Sequence, residues 1–142
     1  MPHQVSVFAE NKPGKIERIT GVLFEHNINI RAVTISDSGD YGIIKLLLDK
    51  PGEAVEVLKN EGIAATLKDI VAIKVKDKPG GLYEVASILR KSDINVEDAY
   101  GFMVTSHEEA VFVFQVSNAK NTEKLLADAG FKILTDRELY LL

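Results

Sequence analysis

The hexapeptide Asn11-Lys12-Pro13-Gly14-Lys15-Ile16 returns later in the chain as Asp77-Lys78-Pro79-Gly80-Gly81-Leu82. The offset of 66 positions (16 to 82) holds well beyond the motif. Ile19, Val22, Leu23, Ile28, Asn29 and Ile30 answer to Val85, Ile88, Leu89, Ile94, Asn95 and Val96 without a gap. A fixed offset that preserves turn residues, helical apolar positions and an Asn ahead of a strand marks two copies of one structural unit. A ligand site built by one copy then has a counterpart in the other.

The repeat divides the 142 residues into units at 1–68 and 69–142. A unit of that size buries only about 60% of its unfolded surface and is marginal alone, so the units are expected to pack on each other or on a second chain. The net charge of −4 argues against a general binder of phosphate backbones. The chain has no Cys, which excludes disulfides, zinc–thiolate sites, iron–sulfur clusters and thiol catalysis. No leader peptide is visible ahead of the first apolar alternation, and no apolar run approaches bilayer length. The expectation is a soluble, cytoplasmic protein that engages no membrane.

Gln4–Glu10 alternates as a strand does, and Pro13-Gly14 turns the chain into a helix whose apolar residues Ile16, Ile19, Val22 and Leu23 recur at helical spacing. Asn27 tolerates the left-handed backbone that ends a helix. A β-branched strand over 28–36, a turn at 37–40 and a strand over 41–49 follow, then a helix opened by Pro51 and a strand over 63–67. The second copy repeats the order, with strands at 70–76, 96–103, 109–116 and 131–134 and helices at 82–91 and 122–129. Two added residues fall near Thr105–Glu109, because Gly62 and Gly130 are 68 apart. The pattern β-α-β-β-α-β, twice, predicts an α+β protein of two ferredoxin-like units in tandem, each an antiparallel sheet with helices on one face.

Two features lie outside that frame. The tail aligns with the junction between copies, Leu134-Thr135-Asp136-Arg137 against Leu67-Lys68-Asp69-Ile70, which predicts an extra β-strand over 138–142. Ile44, Leu46 and Leu48, aligned with Phe112, Phe114 and Val116, are expected to face the helices. The opposite face, with Ile43, Lys45 and Leu47 in one copy and Val111, Val113 and Gln115 in the other, is mostly apolar, so sheet-on-sheet packing or a dimer contact is expected to cover it.

The Lys-Pro-Gly turn is ordinary strand-to-helix punctuation, yet a Gly at a helix start also lets a ligand reach main-chain N–H groups that favour a carboxylate or phosphate. Asn29 and Asn95, each just ahead of a strand, offer amides that can orient a zwitterion if they lie near a corner of their own or an adjacent unit. These residues resemble those of the ACT domains, small β-α-β-β-α-β modules that bind amino acids and control enzymes of amino-acid metabolism. The carriers are the [Asn/Asp]-Lys-Pro-Gly turn, the segments Asn27-Ile28-Asn29-Ile30 and Asp93-Ile94-Asn95-Val96, and the strand order. In serine-sensing members the turn Asn and the Asn of the second strand grip the effector. The resemblance places those roles on Asn11 and Asn29 in the first copy and on Asp77 and Asn95 in the second. Around them stand Lys12, Pro13, Gly14, Lys15, Ile16 and Ile30, and Pro79, Gly80, Gly81, Leu82 and Val96. Such members carry a His two residues before the turn Asn, where this chain has Ala9 and Val75, a departure from serine recognition. The resemblance implies a free-standing, homodimeric regulator that binds a small amino acid, has no cofactor and acts on a separate metabolic enzyme.

Catalysis finds little support. His3, His26 and His107 share no metal-ligand spacing, and no serine sits in a nucleophile elbow. An RNA-recognition module shares the topology, and Phe112-Val113-Phe114 mimics its aromatics. The repeat, however, aligns both rings with the helix-facing row. An interaction-only module that dimerises a partner remains the plainer alternative.

Overall fold

The computed structural model describes every residue except Ser106 and His107, and only the backbone of Asp37 and Ser38. The two added residues of the second hairpin and the His107 turn thus lie outside the described residues. The chain forms two compact units, one of His3–Lys68 and one of Asp69–Leu142 with Met1–Pro2. The first contains β1 (His3–Glu10), α1 (Lys15–Glu25), β2 (Ile30–Ser38), β3 (Tyr41–Leu48), α2 (Pro51–Asn60) and β4 (Ala64–Asp69, its last residue counted with the second unit). The second contains β5 (Val71–Lys76), α3 (Gly81–Lys91), β6 (Val96–Thr105), β7 (Glu109–Val116), α4 (Ala119–Asp128), β8 (Lys132–Ile133) and α5 (Asp136–Tyr140).

Each unit holds one four-stranded sheet, in the orders β2-β3-β1-β4 and β6-β7-β5-β8. This is the βαββαβ pattern twice, a ferredoxin-like topology. β2 and β6 are edge strands, antiparallel to β3 and β7. The alternation of β1 sends Val5 and Val7 into one core with Ile19 and Leu23 of α1, Ile44, Leu46 and Leu48 of β3, and Leu58 of α2. Val71, Ile73, Val85, Leu89, Phe114 and Leu126 build the corresponding core of the second unit. Phe112 packs against that core with Phe114, the ring centroids 6.3 Å apart, so both rings belong to the helix side of the sheet. Just beyond the ends of α1 and α3, Asn27 and Asp93 each take a positive φ (54° and 56°), the left-handed stop that short polar side chains tolerate.

The tail departs from expectation. Residues 136–140 form α5, a short helix, and not an extra strand. Thr135 and Glu138 explain the difference: the Thr135 hydroxyl accepts from the Glu138 N–H at 3.2 Å, and the two side chains lie 3.2 Å apart. That reciprocal pairing is a capping box, and it starts a helix where the junction between units continues a strand. Lys132 lies 3.1 Å from the Glu138 carboxylate; its hydrogen bond, aided by Thr135, holds that carboxyl below its ordinary range. α4 likewise starts earlier than its periodicity suggests, because Asn118 caps it by accepting from the Asn121 N–H at 3.0 Å.

α5 also shows what the apolar rear of the second sheet meets. Ile133 points to the helix-side core, so Leu134 points the other way, and it is buried. Leu139 is fully buried outside the helix-side core. Tyr140 lies close enough to Tyr100, cross-strand from Val113, to add to the burial and the Asp98 charge that raise the Tyr100 hydroxyl pKa. α5 therefore turns to the face that carries Ala72, Val111 and Val113, all buried. In the first sheet the same face keeps Phe8, Tyr41 and Ile43 exposed, whereas Leu47 is buried.

Candidate functional site

At the junction of β1 with α1, Gly14 takes φ 93°, and at the junction of β5 with α3 Gly80 takes φ 90°. Glycine adopts this left-handed backbone at little cost, which is why the motif ends in it. No side chain caps α1 or α3, although Asn118 caps α4 and Thr135 caps α5. The cap position of α1 and α3, like that of α2, thus supplies no side-chain acceptor, a condition under which a helix start accepts an anion, although the Lys15 and Gly81 N–H groups already donate to the Lys12 and Lys78 carbonyls at 3.5 and 3.1 Å.

A cavity lies beside each corner. The first, about 410 Å³, is lined by residues 8–10, 12–15, 18, 19, 41 and 62–64. The second, about 580 Å³, is lined by residues 74–76, 78, 81, 84, 109 and 130–132. Each residue of the second set is the repeat equivalent of a residue of the first, offset by 66 before the hairpin and 68 after it. The two cavities are one place in the fold, built twice.

The side chains at that place differ. Phe8 stacks on Tyr41 with centroids 5.1 Å apart, where the second unit has Lys74 ion-paired to Glu109 at 3.4 Å. Lys15 donates to the Asn11 Oδ1 at 2.7 Å, and Asn11 Nδ2 donates to the Gly39 carbonyl at 3.1 Å. The Asn11 N–H also donates to the Asp40 carbonyl at 2.7 Å, so Asn11 ties the corner to the β2–β3 turn. The Lys15 ammonium rests above Gly42, where an added Cβ would stand 3.4 Å from it. At these positions the second unit has Gly81 and Ala110, a small residue for the large one and a larger one for the small. Gly81 is packed so closely that a Cβ there would lie 2.7 Å from the Lys76 carbonyl oxygen.

Of the residues expected to bind a ligand, Lys12, Pro13, Gly14 and Lys15 line the first cavity and Gly81 lines the second. Asn11, Asp77, Pro79 and Gly80 belong to the corners without lining them; Ile16 packs on the first core, and Leu82 is largely exposed. Asn29 is not beside Asn11 of its own unit. Asn11 bonds to Gly39 and Asp40 at one end of β3, whereas the Asn29 N–H donates to Asp49 Oδ1 at 2.9 Å beyond its other end. The full length of β3 separates them, and Ile30, paired with Leu48, lies at the far end too. Asn95 and Val96 stand likewise, since Val96 pairs with Val116 at the far end of β7. The motif alone did not single out Phe8, Arg18, Tyr41, Glu84 or Glu109; comparing each with its repeat partner marks them by their change of type.

Among the described residues no cluster of His, Asp or Glu is arranged to hold a metal ion, and no helix is long and apolar enough to cross a membrane. The family model of the ACT domain pair matches residues 1–142, the whole chain. The chain belongs to the ACT domain pair family. A Bacteroides thetaiotaomicron protein of known crystal structure is similar to this ACT pair at 30% identity and a TM-score of 0.91, over 99% of this chain and 96% of that one. The fold also matches the regulatory subunit of aspartate kinase from Thermus thermophilus, at 17% identity and a TM-score of 0.67, over 91% and 93% of the two chains. A curated protein of Archaeoglobus fulgidus, a probable acetolactate synthase small subunit, is 24% identical over 80% of the ACT pair and 84% of its own length. Two of these relatives are named as enzyme subunits, one as the regulatory subunit of aspartate kinase and one as a probable small subunit of acetolactate synthase.

Proposed function

We propose that this ACT pair is a regulatory protein that binds a small amino acid at its strand-to-helix corner and thereby modulates a separate enzyme of amino-acid metabolism. The observation that carries this reading is the cavity beside a helix start that no side chain caps. The main-chain N–H groups around Gly14, at the uncapped start of α1, suit the ligand carboxylate, and the apolar wall of Ile19 and Ile63 suits a small side chain. The relatives that are regulatory subunits support the client class. Asn29 reaches a ligand at such a corner only when another folded unit presents it. The reading therefore includes a homodimer, in which the ligand bridges units and biases their orientation.

A thermal-shift screen of the twenty amino acids tests this function. A ligand at a hundred times its Kd adds about 2.7 kcal/mol, and one or a few amino acids are expected to raise the melting temperature accordingly. No shift with any amino acid, together with intact dimerisation of a partner, would leave the interaction-only module in its place. Asn29→Ala keeps the main-chain bond to Asp49, so it is expected to melt like the parent without ligand and to lose the ligand-dependent rise. A full rise in that variant would remove Asn29 from the site.

A further inference from the structure

The three cations that line the first cavity are not equivalent. Lys12 is ion-paired with Glu10 at 3.1 Å, but Lys15 and Arg18 are held by neutral oxygens. Arg18 donates through Nη2 to the Glu61 carbonyl, the cap at the end of α2, at 2.6 Å. One arm of the guanidinium is thus anchored while its charge stays uncancelled by any carboxylate among the described residues. A fixed guanidinium fork beside a cavity is suited to a carboxylate, which it can meet with two parallel N–H donors. At the same place in the second cavity stands Glu84, and Gly81 replaces Lys15. Lys74, Lys76, Lys78 and Lys132 also line the second cavity, with Lys74 paired to Glu109 and Lys132 to Glu138, so the contrast lies at the helical wall: two positive charges in the first unit and one negative charge in the second.

We infer that Arg18 selects the ligand carboxylate, and that the first cavity is the amino-acid site because the second has Glu84 where the first has this guanidinium. This rests on the proposed amino-acid site and adds to it the residue that sets its selectivity and the number of sites per chain. Arg18 is exposed and contributes nothing to the hydrophobic core, so Arg18→Gln retains most of the stem and is expected to fold.

Isothermal titration of the whole protein with the amino acid found in the thermal screen tests the inference. The expected stoichiometry is one per chain. Arg18→Gln is expected to weaken binding by about tenfold to a hundredfold, the range for losing a hydrogen-bonded charge partner. Arg18→Lys should recover part of the loss. The primary amide of the same amino acid supplies a readout that mere loosening of α1 would not move. The parent should discriminate strongly between acid and amide, and Arg18→Gln should lose much of that preference. Glu84→Gln is expected to leave the first site untouched and to raise the stoichiometry or expose a weaker second site. Two equal sites per chain in the parent, or unchanged acid-over-amide preference in Arg18→Gln, would overturn the inference while leaving the amino-acid sensor standing. If no amino acid binds, both fall together.

Discussion

Leu139→Ala is expected to lower the stability of the second unit by about 2–4 kcal/mol, the range for truncating a buried leucine that the surroundings cannot close over. Leu139 is fully buried, whereas Leu141, two residues on, is 73% exposed. Leu141→Ala should therefore change stability by no more than about 0.5 kcal/mol. Urea denaturation followed by circular dichroism compares the two. Equal effects would mean that α5 frays from the sheet and that its capping box holds a helix in solvent only. A large loss for Leu139 alone would identify α5 as part of the fold.

Gly81→Ala is expected to cost about 1–3 kcal/mol, as overpacking a close contact does. The cause is steric: the new Cβ would meet the Lys76 carbonyl oxygen at 2.7 Å, and a main-chain atom held in β5 has little freedom to retreat. Gly52 in α2 provides the comparison, because an added Cβ there meets nothing within 4 Å and its φ is not positive. Gly52→Ala is expected to be neutral or to stabilise by about 0.4–1 kcal/mol through the unfolded chain. Thermal unfolding of the two variants measures the contrast. If Gly81→Ala melts with the parent, the corner of the second unit is looser than its backbone packing implies.

Much of this architecture is legible because the sequence states it twice. The helix over Lys15–Glu25 and the strand over Glu109–Val116 follow directly from apolar spacing, since their termini are marked by Gly14, Asn27 and the hairpin. The tail was misleading for the same reason that the repeat was informative. Its alignment with residues 67–70 carries over a strand, but Thr135 with Glu138 is a local start signal that outweighs the alignment. Asn29 is a different case: the residue type was visible, but its distance from Asn11 depends on strand length and direction, which motif spacing does not encode. Arg18 is invisible as a lone helical arginine and conspicuous only beside Glu84.

The exchange of Lys15 and Gly42 for Gly81 and Ala110 bears on how such a duplicated chain can be recombined. Grafting α3 onto the first half would leave the space over Gly42 vacant, and grafting α1 onto the second would bring a lysine toward Ala110. Each helix start has become matched to the hairpin of its own half, so viable hybrids are those that move both together.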